Sequence, residues 1–211
     1  MRLHGYWRSS AAYRVRIALN LKGLAYDQVA HDLRLGTHRD QAYRALNPQG
    51  LVPALELDGH GFIQSGAIVE LIDELHPDPP LLPRSPRARA HARAMAAIIA
   101  CDIHPLNNLR VLTALRQDLG ADEHQAGRWI ARWIAEGFAA LEVEIGRHGA
   151  GYAFGTDPSI VDCHLVPQVY NAERFRVDLS QYPRLVAAAE HARAHPAFEL
   201  AHPALQPDAD A

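Results

Sequence analysis

A small α/β domain followed by an all-helical domain is the fold class that three features of the 211-residue sequence predict. Up to about residue 77, short apolar runs alternate with segments of helical spacing, in the order βαβ and then ββα. A proline-rich stretch follows, Pro77-Asp78-Pro79-Pro80-Leu81-Leu82-Pro83-Arg84-Ser85-Pro86, which cannot join a helix or sheet interior. Everything beyond it carries helical periodicity. The expected division is 1–80 and 86–211, with 77–86 as linker.

Each element has a local reason. Residues 3–6 read as a strand, and 11–21 place apolar residues at helical spacing until Lys22-Gly23 supplies a glycine stop. Residues 25–30 form a second strand, and a short helix is expected over 40–46. A third strand over 52–57 meets the turn signal Asp58-Gly59 and continues as a hairpin partner at 61–63. Ser65 then stands as N-cap of a helix to about 76, with Ile68, Leu71, Ile72 and Leu75 on its apolar face. In the second domain, helices are expected over 86–118, 122–147, 159–173 and 183–195, with a loose tail from Pro203. Ser159-Ile160-Val161-Asp162 matches a capping box, aspartate replacing the usual glutamate.

Composition excludes several classes of function. Hydrophobic residues at 48% and charged residues at 21% suit a folded globular chain. A net charge of -3 gives no electrostatic grip on nucleic acid or an anionic membrane. No run approaches the about 18 apolar residues of a membrane span, and MRLHGYWRSS lacks the apolar core of a secretory signal. The expected setting is therefore the cytoplasm. Cys101 and Cys163 are too few for a disulfide framework or a thiolate zinc site, so no metal is expected. Of 21 basic residues only Lys22 is lysine, so an arginine here carries meaning through its position alone.

Three segments could carry chemistry. Ser9 and Ser10 sit between the first strand and the first helix, where backbone donors and the helix dipole favour negative charge. One hydroxyl can cap the helix while the other faces a bound anion such as a thiolate. Val52-Pro53 places a proline at the opening of a strand, either as an ordinary trans edge proline or as a cis bond. A cis bond there would leave the Val52 backbone free to pair with an extended ligand. Gln64-Ser65 opens the third helix, a position suited to a carboxylate.

Together these segments resemble the thioredoxin-like domain of glutathione transferases, and in detail the zeta class. The class motif of SSCxxRVRIAL type reads Ser9-Ser10-Ala11-Ala12-Tyr13-Arg14-Val15-Arg16-Ile17-Ala18-Leu19 in this chain. The stretches NPQGLVPAL (47–55), IQSGAIVELI (63–72), DIHPLNNLRVL (102–112) and GTDPSIVDCHLVPQVYNAERF (155–175) are similar to the class, in order, across nearly the whole chain. The resemblance implies glutathione as cofactor and a homodimer. It implies that Ser9 or Ser10 bonds the sulfur, that Val52 beside a cis Pro53 pairs with the cysteinyl part, and that Gln64 and Ser65 hold the γ-glutamyl end. His38, Gln49, His104 and Asn108 match positions that help to bind the tripeptide. Arg8, Arg110 and Arg174 match a carboxylate-binding set in the bacterial isomerases of the class, expected to converge on a cleft between domains. One departure stands out: Ala11 replaces the motif cysteine, so the thiol must come from glutathione.

The activity implied is cis–trans isomerisation of a small dicarboxylate, maleylacetoacetate or maleylpyruvate. Two alternatives are a zeta-like transferase that conjugates or dehalogenates small electrophilic acids, and a non-catalytic glutathione-fold binding protein. The intact Ser9, Ser10, Gln64 and Ser65 argue against the latter.

Overall fold

The computed structural model of the protein describes residues 1–210. It packs as two compact units, Met1–Leu81 together with the segment from Arg193, and Leu82–Ala192.

In the first unit, β1 (Arg2–Gly5), α1 (Ser10–Leu21) and β2 (Asp27–Ala30) form a βαβ motif with parallel strands. The short α2 (Gln41–Leu46) leads to β3 (Ala54–Leu57), β4 (His60–Ile63) and α3 (Ser65–Leu75). The sheet order is β2-β1-β3-β4, with β3 antiparallel to both of its neighbours. Asp58 and Gly59 both take positive φ, 51° and 79°, as a two-residue hairpin requires. Helix α1 is the hub: every residue from Ala12 to Leu19 is buried. Its end is a Schellman motif, with Gly23 N–H donating to Asn20 and Leu24 N–H to Leu19. Lys22, just beyond it, bonds Asp73 at 2.7 Å and also donates to the Pro79 carbonyl, fixing the end of α3 and the start of the linker.

The end of the chain, including the tail from Pro203 that was expected to be loose, is docked against this unit. Arg16 donates to the Ala201 carbonyl at 3.1 Å and Asn20 to Ala197 at 3.0 Å, which holds α9 (Pro196–Leu200) along α1. The Trp7 amide donates to Asp208 at 2.9 Å. The last segment of the expected helical domain thus packs with the first unit. Buried backbone carbonyls on α9 need donors, and α1 supplies them from polar side chains within its buried face.

The second unit is α4 (Pro86–Ala97), α5 (Leu109–Gln117), α6 (Glu123–His148), α7 (Ile160–Arg174) and α8 (Pro183–Arg193). The single helix expected over 86–118 is broken. A π-helical turn at Ile98–Ile103 and a 3-10 turn at His104–Asn107 separate α4 from α5. Pro105 lacks the N–H that would continue the ladder, and Asn108 starts α5 afresh by capping it. Helix α6 turns Ala126, Ile130, Ile134, Phe138, Leu141 and Ile145 into the core. Gly137 lets that face approach closely, since a Cβ there would lie 2.3 Å from Ile103 Cδ1. Helix α7 is buried from Ile160 to Val169, so an uncapped start would strand donors in the core. The capping box forms as expected, and more fully: Asp162 accepts from the Ser159 amide at 2.9 Å, the Ser159 hydroxyl at 2.7 Å and the Ala153 amide at 2.8 Å. No described helix is long and apolar enough to cross a membrane.

Candidate active site

Strand register gathers the first unit's candidates at one end of its sheet. The C-terminal ends of β1 and β2 are level, with Gly5 opposite Ala30, so the loops carrying Ser9 and His38 leave from the same edge. Antiparallel β3 starts where β1 ends, with His4 opposite Ala54, which puts Val52 and Pro53 at that edge too. Strand β4 finishes there, with Ile63 opposite Ala54, and delivers Gln64 and Ser65.

Ser9 is the N-cap of α1, and its Oγ accepts from the Ala12 amide at 3.2 Å. Accepting leaves the hydroxyl proton available to a second partner. Ser9 is half-buried, whereas Ser10, the first helical residue, is 6% exposed. The division expected between a capping serine and an anion-facing one is therefore not forced by the fold, since one hydroxyl can do both. Arg8 is half-buried, its guanidinium carbon 5.2 Å from the Trp7 ring centre. Arg16 Nη2 bonds the Trp7 carbonyl at 2.9 Å, which steadies this loop from beneath.

The 47–53 loop is held by Asn47, whose Nδ2 donates to the Leu51 carbonyl and whose Oδ1 accepts from the Gln49 amide. Tyr43 also donates to Leu51, at 2.7 Å. Gly50 takes φ 59°, and a Cβ there would meet the His38 carbonyl at 3.1 Å, so this close approach of two loops needs glycine. The Val52–Pro53 bond is cis. Both residues precede β3, which begins at Ala54 and not at Val52, so the Val52 peptide groups lie outside the sheet ladder.

Gln64, not Ser65, occupies the N-cap position of α3, with no side-chain capping bond. A side chain on Ser65 cannot cap a helix in which it is already the first turn; its Oγ accepts instead from Arg14 Nη1 at 3.2 Å. Gln64 holds φ 69°, a left-handed conformation rare outside glycine and asparagine. Its Nε2 donates to Gln49 Oε1 at 2.7 Å. His38 is buried, and burial lowers the pKa of its imidazole, which favours the neutral ring. Arg14 is the residue that sequence reasoning passed over. The available signal was an arginine inside the apolar RVRIAL run, where a buried charge requires a polar partner.

In the second unit, His104 follows the π turn. Asn108 is committed through Oδ1 to the Arg110 amide at 3.1 Å. Arg110 is exposed in the first turn of α5, rather than within one long helix. Arg174 is exposed at the end of α7, 4.7 Å from the Phe175 ring centre. Of the two thiols, Cys101 is exposed and Cys163 is buried in α7.

The donor set at the sheet edge suits glutathione. An extended peptide is matched by peptide groups outside the ladder at Val52, a terminal carboxylate by the first turn of α3, and a thiolate by a hydroxyl at the N-terminus of α1.

Comparison with known proteins agrees with this chemistry. The model of the glutathione S-transferase N-terminal domain matches residues 3–80. Maleylacetoacetate isomerase of Pseudomonas aeruginosa is 51% identical over 214 residues, covering 100% of both chains. The holo structure of a maleylpyruvate isomerase, a bacterial glutathione S-transferase of the zeta class, superposes with a TM-score of 0.97 at 46% identity and full coverage of both. A maleylacetoacetate isomerase from Anaeromyxobacter dehalogenans 2CP-1, with bound dicarboxyethyl glutathione and citrate in its active site, has a TM-score of 0.90 at 42% identity, covering 100% of this chain and 97% of that one. The chain belongs to the zeta class of glutathione S-transferases, within the group of maleylacetoacetate and maleylpyruvate isomerases.

Proposed function

We propose that this protein is a glutathione-dependent isomerase that converts a maleyl dicarboxylate, maleylacetoacetate or maleylpyruvate, to its fumaryl isomer. The observation that carries the reading is Ser9: a half-buried hydroxyl at the N-terminus of α1, at the sheet edge shared by Val52 and the Gln49–Gln64 pair. The substrate class rests on the full-length relatives and on the dicarboxyethyl glutathione bound in one of them.

Glutathione, when bound, supplies a thiolate that adds reversibly to the conjugated double bond, so that rotation about a single bond becomes possible before the thiolate leaves unchanged. Ser9 donates its hydroxyl proton to the sulfur while its oxygen stays on the Ala12 amide. That bond and the α1 dipole lower a thiol pKa from its usual value of about 8.5 towards neutrality. Val52 offers its peptide groups to the cysteinyl backbone, and Gln64, held by Gln49, and Ser65, held by Arg14, present the α3 N-terminus to the γ-glutamyl carboxylate. His38, His104 and Asn108 add polar contacts to the tripeptide. Arg8, Arg110 and Arg174 pair with the substrate carboxylates and with negative charge that gathers on its carbonyl oxygen during addition. Ala11 removes the motif thiol, and Cys101 and Cys163 take no part.

The reading extends to a homodimer, which sedimentation of the purified protein would test, and to the cytoplasm, which fractionation of the cells that make it would test. The function is tested by following loss of each cis substrate with and without glutathione. Turnover of neither substrate in the presence of glutathione would refute it.

A further inference from the structure

We propose that the second unit carries a divalent transition-metal site, formed by His91 of α4 with Glu144 and His148 of α6, that clamps the two helices together. One donor atom from each side chain lies within 4.8 Å of the other two. Glu144 and His148 are four residues apart, so they share one face at the end of α6. His91 reaches them from α4, its ring centre 4.5 Å from that of His148.

An ordinary helical ion pair accounts for part of this arrangement, since His148 Nε2 lies 3.4 Å from Glu144 Oε2. It does not account for a second imidazole against the first. Two protonated rings at that distance repel, whereas two neutral rings and a carboxylate are a favourable ligand set for Zn²⁺ and its neighbours in the first row. With metal–ligand bonds of about 2.0–2.2 Å, donor atoms in a tetrahedral site stand about 3.4 Å apart. Closing from 4.8 Å therefore needs small side-chain rotations, which partly exposed residues can make. A water would complete the four ligands.

The supporting contacts orient the donors. Arg147 Nη1 holds Glu144 Oε1 at 2.6 Å, leaving Oε2 on the His148 side. The His148 ring stacks on Phe154 at 5.4 Å and 21°. The loop presenting Phe154 is tied to the helix end, because the Gly155 amide donates to the His148 carbonyl at 2.9 Å. A carboxylate fixed by an arginine and an imidazole fixed by a ring are the outer partners that metal ligands characteristically have.

None of the three residues is among those assigned to glutathione, so the site can be tested on the untagged chain with glutathione left out, as free thiols compete for metal. Zn²⁺ titrated by calorimetry should bind saturably with one strong site, and should raise the Tm at a concentration on the order of 100 µM. Co²⁺ should give visible absorption of a nitrogen- and oxygen-ligated site. His91→Ala and His148→Ala should each weaken Zn²⁺ at least tenfold, and Glu144→Gln should weaken it as well. His31→Ala, in the first unit, should leave binding unchanged. Far-UV circular dichroism and the metal-free Tm report the folding of each variant, and His91→Gln replaces any alanine variant that fails to fold. No saturable Zn²⁺ binding by the wild-type chain, or binding unchanged in both histidine variants, would overturn the proposal.

Discussion

Asp162 sets burial against hydrogen bonding, and replacing it with asparagine measures which one wins. The carboxylate is fully buried and accepts three donors at 2.7–2.9 Å. Those bonds favour the ionised form. Burial outweighs them and pushes the pKa from the ordinary 3.8 up to about 6. Between these two values the folded chain keeps a proton that the unfolded chain has lost. Acidification to about pH 4 therefore stabilises the protein through this group, and that stability is lost as pH rises through 6. A difference of about 2 pK units amounts to about 3 kcal/mol, of which about 2 kcal/mol should develop between pH 4 and pH 7. Asp162→Asn does not titrate, and its lost acceptor costs the same at every pH. Urea unfolding of both proteins across this range should show the wild-type advantage shrinking by about 2 kcal/mol on going from pH 4 to pH 7. A constant difference would mean no shift at Asp162. An advantage that grows with pH would mean that the three donors, not burial, set the charge state.

Further outcomes follow from the site and its supports. Ser9→Ala should cost about 1 kcal/mol of stability through the lost cap, and should lower kcat/KM at neutral pH by about ten- to a hundredfold. Ser10→Ala should leave the pH profile of activity in place, and full turnover by Ser9→Ala would remove serine 9 from the mechanism. Replacing Arg8, Arg110 or Arg174 by alanine should reduce kcat/KM for a maleyl substrate by about ten- to a hundredfold. The loss with chlorodinitrobenzene should be smaller, and equal losses would assign the arginines to the thiolate or to folding. Gly137→Ala should destabilise the chain in thermal melts. Alanine gains about 1 kcal/mol in helix propensity, but a Cβ 2.3 Å from both Ile103 Cδ1 and Cγ1 puts the overpacking cost at the upper end of its range, about 3 kcal/mol.

What could be read from the sequence was local. The order of strands and helices in the first unit, the Asp58-Gly59 turn, the glycine stop after Lys22 and the Ser159–Asp162 box depend on residues a few positions apart. The break between α4 and α5 was equally local, since Pro105 is in plain view, but apolar periodicity on both sides of it masked the interruption. The docked tail was not readable, because it depends on Arg16 meeting Ala201 and on Trp7 meeting Asp208, pairs about two hundred residues apart. For the site, the resemblance supplied candidate residues while the register supplied their gathering at one sheet edge. Sequence patterns could not show that Arg14 occupies Ser65 or that Asn108 caps α5 through Oδ1, leaving only its amide nitrogen for a ligand. Nor did they show Gln64 in a left-handed conformation, because nothing in a glutamine announces positive φ.

An isomerase regenerates glutathione and does not consume it, so product yield at limiting glutathione decides between isomerisation and conjugation. The protein is incubated with a large excess of maleylacetoacetate, and separately of maleylpyruvate, over glutathione. Fumaryl product and free thiol are then quantified at the end of the reaction. Many equivalents of fumaryl isomer per glutathione should form from at least one of the two substrates, with the thiol recovered. Product that stops at one equivalent, with the thiol lost to a conjugate, would contradict it and make the protein a conjugating transferase.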